Sequence, residues 1–346
     1  MPITVRSFAK INLGLCIGPV REYPQAGVAD KSVRARFHEL RTAYQTVALH
    51  DVLHLEVTRG SGIEIRCADP SVPCDESNTC YQTLARAVQA LRAKGKVILE
   101  IEKRLPVQGG LGGASGNAVA AILALERALK KRLRGEERLR IAAEVGSDLP
   151  LFLIGGTSLG VSHGEEVYPL PDLPATPCVV VTPEIGVSTP KAFADWDQLT
   201  ASGPSDRIEQ FSRMLSVWLS GVPEAPQKKA VRRSSSGVPA SGRGRAEILL
   251  LDLVRTGIEN DFERVVFPQH PALGKVKRAL ERSGAFYASL SGSGSALYGL
   301  YRTRAQAERA ARKLNRAGIP ATATTTLMRS QYWKAIFDPR FQVADR

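Results

Sequence analysis

The sequence has no CxxC pair among its five cysteines, Cys16, Cys67, Cys74, Cys80 and Cys178. An odd number of unpaired thiols in a chain of 346 residues excludes a disulfide framework and a cysteine-type zinc site. It suits incidental thiols in a reducing compartment. The sequence also lacks any uninterrupted apolar run near the roughly 20 residues that cross a bilayer. Met1–Lys10 has no apolar segment ending in a small-residue cleavage site, so no secretory signal and no membrane partner are expected. The expected location is cytoplasmic. No internal repeat is present. Two familiar nucleotide signatures are missing too. No glycine run ends in Lys-Ser/Thr, and the run that is present has Ser115 where GxGxxG requires a third glycine.

What is present fits a soluble enzyme. Apolar residues make up 43% and charged residues 23% of the chain, and its length suggests two domains. The net charge of +13 admits a nucleic-acid partner, an anionic substrate, or a basic insertion. Its distribution decides among them. Pro223–Arg245 holds Lys228, Lys229, Arg232, Arg233, Arg243 and Arg245 among Ser, Gly and Pro, with almost no large apolar residue. That composition predicts a disordered loop. The rest of the chain is then only mildly basic, and no nucleic-acid partner is expected.

Alternating, branched residues predict strands at Ile3–Val5, Lys10–Ile17, Thr42–Leu49, Val52–Val57, Gly62–Cys67 and Val97–Ile101. Helical spacing predicts helices within Glu76–Lys94, capped by Asn78, and at Glu136–Val145. Leu149–Ile154 reads as a strand. A second half begins near Pro169–Pro177, with a strand at Cys178–Thr182. Helices are predicted at Phe193–Asp197, Arg207–Trp218, Leu249–Gly257, Pro271–Ser283 and Ala305–Gly318. Strands at Phe286–Leu290 and Ala296–Tyr301 flank a tight turn. This is an α+β pattern with antiparallel pairing.

Four motifs carry chemistry. Pro106–Ala118, PVQGGLGGASGNA, joins a strand to a helix. Its glycines let the main chain approach a ligand, and the helix directs N–H groups and its dipole at the loop, with Ser115 as candidate N-cap. This is a phosphate cradle. In Ser7–Gly18, SFAKINLGLCIG, Lys10 and Asn12 share one face of an apolar strand, a costly placement unless they serve something. Taken alone, an edge strand at the surface explains them as well. Asp148, in GSDLP, has a turn or cap as its simplest explanation. Ser291–Ser295, SGSGS, makes a second backbone-rich turn, with a plain hairpin as the equal alternative.

The order of these motifs resembles the GHMP kinase superfamily, and within it the family of 4-diphosphocytidyl-2-C-methyl-D-erythritol kinases. SFAKINL resembles that family's PAKINL. Arg34–Thr42 keeps the His-x-Leu-x-Thr part of its next motif, with Arg36 for Asp and Phe37 for Tyr. The glycine run resembles P-x-G-G-G-L-G-G-G-S-S-N-A, with departures at Gln108, Ala114 and Gly116. GSDLP, SGSGS, Gly186–Pro190 and Asn260–Glu263 match further segments. The resemblance implies a two-domain GHMP kinase-like α+β fold with the active site in the interdomain cleft. The nucleotide domain would span 1–170 and the C-terminal domain 171–346, interrupted by the insertion 223–245. It implies ATP and Mg²⁺, transfer of the γ-phosphoryl group to the 2-hydroxyl of a cytidine diphosphate-linked sugar alcohol, and action as a monomer or weak dimer. Asp148 would be the general base and Lys10 its cationic neighbour. Pro106, Val107, Gln108, Gly109, Gly110, Leu111, Gly112, Gly113, Ala114, Ser115 and Gly116 would hold the nucleotide, with Ser115 a candidate magnesium ligand. Asn12, His38 and Phe193 would meet the acceptor. Gly116, standing for a serine, would withhold a hydroxyl from the phosphates. Two other functions remain open: a related kinase with changed substrate preference near Arg36–Phe37, and a basic nucleic-acid-binding protein that retains the fold.

Overall fold

The computed structural model describes residues 2–24, 34–107, 109–200, 206–220 and 258–338. The basic insertion 223–245, the predicted helix 249–257, the loop 25–33 and Gln108 lie outside these residues.

The first two predicted strand pairs merge into longer elements, β1 (Ile3–Pro24) and β2 (Arg34–Thr58). They form one antiparallel ribbon from Ile3 opposite Leu55 to Pro24 opposite Arg34. Three register shifts, after Phe8, Asn12 and Ile17, interrupt it. Such bulges bend a strand and increase its twist. β3 (Ile63–Cys67) runs parallel to β4 (Lys96–Glu102), with α1 (Thr79–Ala90) between them in sequence. Asn78 caps α1, its side chain accepting from Cys80 N at 2.7 Å. α2 (Gly113–Leu129) and α3 (Gly135–Val145) follow, then α4 (Leu149–Ile154), β5 (Thr157–Val161) and β6 (Glu166–Pro169). The first sheet has the order β3-β4-β2-β5-β6, with β1 paired to β2.

The second sheet begins with β7 (Pro177–Val181). α5 (Thr189–Thr200), α6 (Arg207–Ser220), α7 (Glu263–Gln269) and α8 (Pro271–Arg282) precede β8 (Tyr287–Leu290) and β9 (Leu297–Leu300). α9 (Arg304–Arg316), β10 (Ala321–Thr325) and α10 (Arg329–Ala335) complete the described chain. The sheet order is β10-β7-β9-β8, all antiparallel. The α+β expectation holds, at 39% helix and 31% strand. No helix among the described residues is long and apolar enough to cross a membrane.

One apolar cluster lies on the first sheet and includes Leu53, Leu84 and Phe152. A second lies on the other sheet and includes Leu273 and Leu314. A third joins the two, packing Ile11, Leu13 and Val47 with Val180, Tyr298 and Leu300. Burying apolar surface contributes about 25 cal/mol per Å², so this shared cluster binds the two sheets into one body. α10 closes the chain back on its start, with Arg6 N donating to Ile336 O at 2.9 Å.

Two local expectations are corrected. Leu149–Ile154 is a short helix and not a strand. A six-residue apolar run carries no period that separates a buried helix from a strand, and here Asp148 at the N-cap position with Pro150 in the first turn starts a helix. Ser115 is not an N-cap: α2 starts at Gly113, after Gly112 in the left-handed conformation. Sequence reading also missed β5, β6, β10, α7 and α10, all four to seven residues long.

Burial raises the thiols of Cys16 and Cys80 to about 12, and raises Cys178 as well, while Cys74 is exposed. Reaction of the native protein with a thiol reagent at pH 8, read by peptide mass mapping, is therefore expected to label Cys74 fast. Cys16, Cys80 and Cys178 should react only on unfolding. Fast labelling of Cys178 would contradict this packing.

Candidate active site

The glycine run is held from beneath by one carboxylate. Asp51 in β2 is fully buried, and four donors converge on it. Arg104 N and Leu105 N, both at 2.7 Å, donate to Oδ1; Lys103 Nζ at 2.6 Å and Asn117 Nδ2 at 3.0 Å donate to Oδ2. The first three lie where the chain enters the run, and Asn117 lies in α2 beyond it. Asp51 thus fixes both ends of the run.

Between these ends the main chain turns through positive φ at Gly110 (77°) and Gly112 (70°), which glycine adopts without strain. The turn between β8 and β9 meets it. Ala296 N donates to Gly109 O at 3.1 Å, and Ser291 Oγ donates to Gly110 O at 2.9 Å. A Cβ on Gly294 would lie 2.6 Å from Gly109 C, and one on Gly110 would collide with Ser291 O. The two glycine-rich turns therefore pack main chain against main chain, a contact no other residue type permits. Asn260 holds the second turn, its amide donating to Leu290 O at 2.9 Å and Gly292 O at 2.8 Å. Glu263 accepts from Ser289 Oγ at 2.8 Å and Leu290 N at 2.9 Å.

Beside the run is a cavity of about 280 Å³, lined also by Val72, Asn78 and Lys103. Pro106, Val107, Gly109, Gly110, Leu111, Gly112, Gly113, Ala114 and Ser115 all line it. Among the described residues no side chain caps α2, so its first N–H groups suit an anion, which the helix dipole favours. The residues present fit a nucleotide phosphate chain. Gly116 is placed differently. A Cβ there would lie 2.8 Å from Ser7 Oγ and 3.0 Å from Phe8 O. A side chain at this position points into β1, so the glycine answers a packing demand of α2 on the strand. Among the described residues Ser7 Oγ, buried there, has no hydrogen-bond partner.

The catalytic pair of the sequence reading is brought together. Lys10 is buried, 2% exposed. Its Nζ lies 3.4 Å from Asp148 Oδ2, and Lys10 N donates to Leu111 O at 2.9 Å, tying β1 to the glycine run. The Asp148 side chain is one-third exposed, at 33%, so the pair has one buried end and one end open to solvent. Asn12 stands behind the lysine. Its Oδ1 accepts from Lys10 Nζ at 2.8 Å, and its Nδ2 donates to Thr42 Oγ1 at 2.8 Å. Thr42 Oγ1 in turn donates to Gly14 O at 2.8 Å. Gly292 closes the other side: a Cβ there would lie 3.3 Å from Lys10 Nζ. Tyr44 O–H donates to Asp148 Oδ1 at 3.1 Å.

His38 and Phe193 form a separate group. Their rings stack with centroids 5.0 Å apart and planes 7° apart. His38 Nδ1 is 2.9 Å from Gly18 O, and Nε2 is 3.3 Å from Asp197 Oδ1. Near the ribbon tip, Phe37, half exposed, packs on His163 at 4.8 Å, and His163 reaches Ser147 Oγ at 2.9 Å, next to Asp148. Among the described residues no cluster of three His, Cys, Asp or Glu side chains forms a ready cation cage.

Sequence reading missed Asp51, Lys103, Thr42, Tyr44 and Asn78 as parts of the site. Asp51 alone carried a signal, a carboxylate inside the apolar strand Val47–Val57.

Family models match in two places, "GHMP kinases N terminal domain" at residues 78–156 and "GHMP kinases C terminal" at 246–320. The chain is 35% identical over 303 residues to a 4-diphosphocytidyl-2-C-methyl-D-erythritol kinase from Solibacter usitatus, covering 87% of this chain and 81% of that one. It is 32% identical to the enzyme of the same name from Acaryochloris marina, covering 91% and 92%. Among solved structures, a 4-(cytidine 5'-diphospho)-2C-methyl-D-erythritol kinase superimposes with a TM-score of 0.65 at 28% identity, covering 93% of this chain and 98% of that one. Homoserine kinase from Cytophaga hutchinsonii gives 0.67 at 18% identity, a likeness of fold alone.

Two outcomes follow from the packing of the glycine run. Asp51→Ala strands a buried ammonium and three N–H groups, and is expected to cost about 3–5 kcal/mol of stability by urea denaturation. Gly116→Ser is expected to cost about 1–3 kcal/mol through overpacking, with part of the loss recovered in the Ser7→Ala background. A Gly116→Ser protein of full stability would show that the side chain finds room elsewhere.

Proposed function

Because this chain belongs to the GHMP kinases, we propose that it transfers the γ-phosphoryl group of ATP to the 2-hydroxyl of 4-diphosphocytidyl-2-C-methyl-D-erythritol, a step of non-mevalonate isoprenoid precursor synthesis. The observation that carries the reading is the Lys10–Asp148 pair, 3.4 Å apart, set beside two interlocked glycine turns. The relatives of that name, 35% and 32% identical over most of the chain, support the choice of acceptor.

Phosphoryl transfer asks mainly for positioning and charge neutralisation. The main-chain N–H groups of Gly109–Gly113 and the start of α2 hold the nucleotide phosphates, and Lys103, paired with Asp51, forms part of the cavity wall. Asp148 presents its solvent-facing side to the acceptor hydroxyl. It takes the proton as the acceptor oxygen bonds to the γ-phosphorus and the bond from that phosphorus to the β-bridging oxygen breaks, releasing ADP. Lys10 favours the ionised carboxylate and stabilises negative charge building on the acceptor oxygen. Asn12, bonded to Lys10 Nζ and Thr42, aims the ammonium at that place. Mg²⁺ bound with the nucleotide would neutralise phosphate charge. Ser115, at the cavity edge in the first turn of α2, is its candidate protein ligand, and phosphate oxygens and water would complete its shell. His38, Phe193 and Phe37 lie toward the ribbon tip as candidates for the cytosine end, where stacking supplies recognition. The reading requires neither a membrane nor a nucleic-acid partner, and treats the enzyme as a cytoplasmic monomer or weak dimer.

Asp148→Asn is expected to lower kcat by about 10²- to 10⁴-fold, the range for loss of a general base, in a protein that still folds but melts at a lower temperature because buried Lys10 loses its charged partner. Lys10→Ala should abolish turnover as well. The reading itself is tested by ATP turnover with 4-diphosphocytidyl-2-C-methyl-D-erythritol, homoserine and mevalonate side by side. Turnover with one of the latter two and none with the first would move the chain to a different GHMP kinase.

A further inference from the structure

Resting on the kinase reading above, we propose that Tyr44 is a positioning residue of the phosphoryl transfer, its hydroxyl fixing the Asp148 carboxylate against Lys10 and leaving the open face of that carboxylate to the acceptor hydroxyl.

The geometry of Asp148 poses the problem Tyr44 answers. Asp148 occupies the N-cap position of α4, yet its side chain makes no capping hydrogen bond to that helix. Its carboxylate is therefore not oriented by the element that carries it. Both oxygens are instead held from the ribbon. Lys10 of β1 lies 3.4 Å from Oδ2, and Tyr44 of β2 donates to Oδ1 at 3.1 Å. Two contacts on two oxygens set the torsion of a carboxylate; the ion pair alone does not, since 3.4 Å is a charge contact without the direction of a short hydrogen bond.

The slot around Tyr44 is shaped for a phenol. The side chain is 3% exposed. Gly160 in β5 faces its ring, where a Cβ would lie 2.5 Å from Cε2, and Gly164 faces its hydroxyl, where a Cβ would lie 3.2 Å from the oxygen. Lys10 Nζ lies 5.6 Å from the ring centre, so the same side chain borders both members of the pair. Burial, reinforced by the negative charge of Asp148, pushes the phenol far above its ordinary value. The hydroxyl therefore stays protonated at any working pH and serves the carboxylate as a donor. The other charged or titratable groups facing this cluster come from the turn between β5 and β6. Glu165 acts on Tyr44 through its charge, and His163 reaches Ser147, the neighbour of Asp148.

Tyr44→Phe keeps the ring in its slot and deletes only the hydroxyl. It is expected to lower kcat about tenfold, the size of one hydrogen bond to a charged group, with the KM for ATP and for the acceptor unchanged. In the Asp148→Asn background the same change should cost nothing further. Urea denaturation of Tyr44→Phe, Asp148→Ala and the double variant should show losses that do not add, because the two side chains share one hydrogen bond. Additive losses overturn the assignment, and so does an equal loss of kcat in both backgrounds. If the unaltered protein transfers no phosphoryl group to the acceptor, the kinase reading fails, while the urea cycle still decides the role of Tyr44.

Discussion

An ammonium group with almost no water around it must find its partners inside the protein, and the position of Lys10 organises four segments of this chain. Asn12 supplies the neutral acceptor and Asp148 the charge. The main chain of the same residue holds Leu111 in the glycine run. Gly292, from the far turn, leaves the room that any larger residue would fill. A desolvated charge is stable only when such partners are all in place. The cost of burying it is thus also what keeps the acid, the cradle and the second sheet in register.

A second constraint is main chain against main chain. Gly109 and Gly110 from the first half meet the main chain of Ser291 and Gly294 from the second, and the Ser291 hydroxyl adds a hydrogen bond to Gly110 O. The shared apolar cluster around Ile11 and Tyr298 supplies the burial that presses the halves together. Asn260 does for the second turn what Asp51 does for the first, one buried polar side chain fixing several main-chain groups of a loop that lacks regular structure, and Glu263 adds a hold on Leu290 N. Each satisfies main-chain groups that would otherwise be buried unpaired.

Much of this was legible in the sequence because glycine, lysine and aspartate carry position-specific information. The cradle could be read from four glycines before a helix, and Lys10 from a charge in an apolar strand. The longer strands and helices followed from periodicity, with ends shifted by a few residues. What escaped reading had two physical causes. Elements of four to seven residues, such as β6 and α4, cover only about two repeats of their own period, too few to separate helix from strand. Tyr44 and Thr42 look like ordinary strand residues, and their roles come from the hydrogen bonds that the fold brings to them. The helix start at Gly112 escaped for the opposite reason: a left-handed glycine replaced the expected serine cap. The placement of Gly116 against β1 likewise depends on how α2 lies on the strand, which no local pattern encodes.

The glycine-to-glycine seam also bears on how such a site changes over generations. Where the ligand end is built from main chain, substitution has little to grade: most replacements at Gly110 or Gly294 break the seam, and the rest leave it as it was. The proposed acceptor end is built from side chains along the ribbon, at Arg36, Phe37 and His38, where exchanges alter shape and charge by small steps. Lineages of this enzyme would therefore inherit the nucleotide end nearly intact and record their divergence at the ribbon tip.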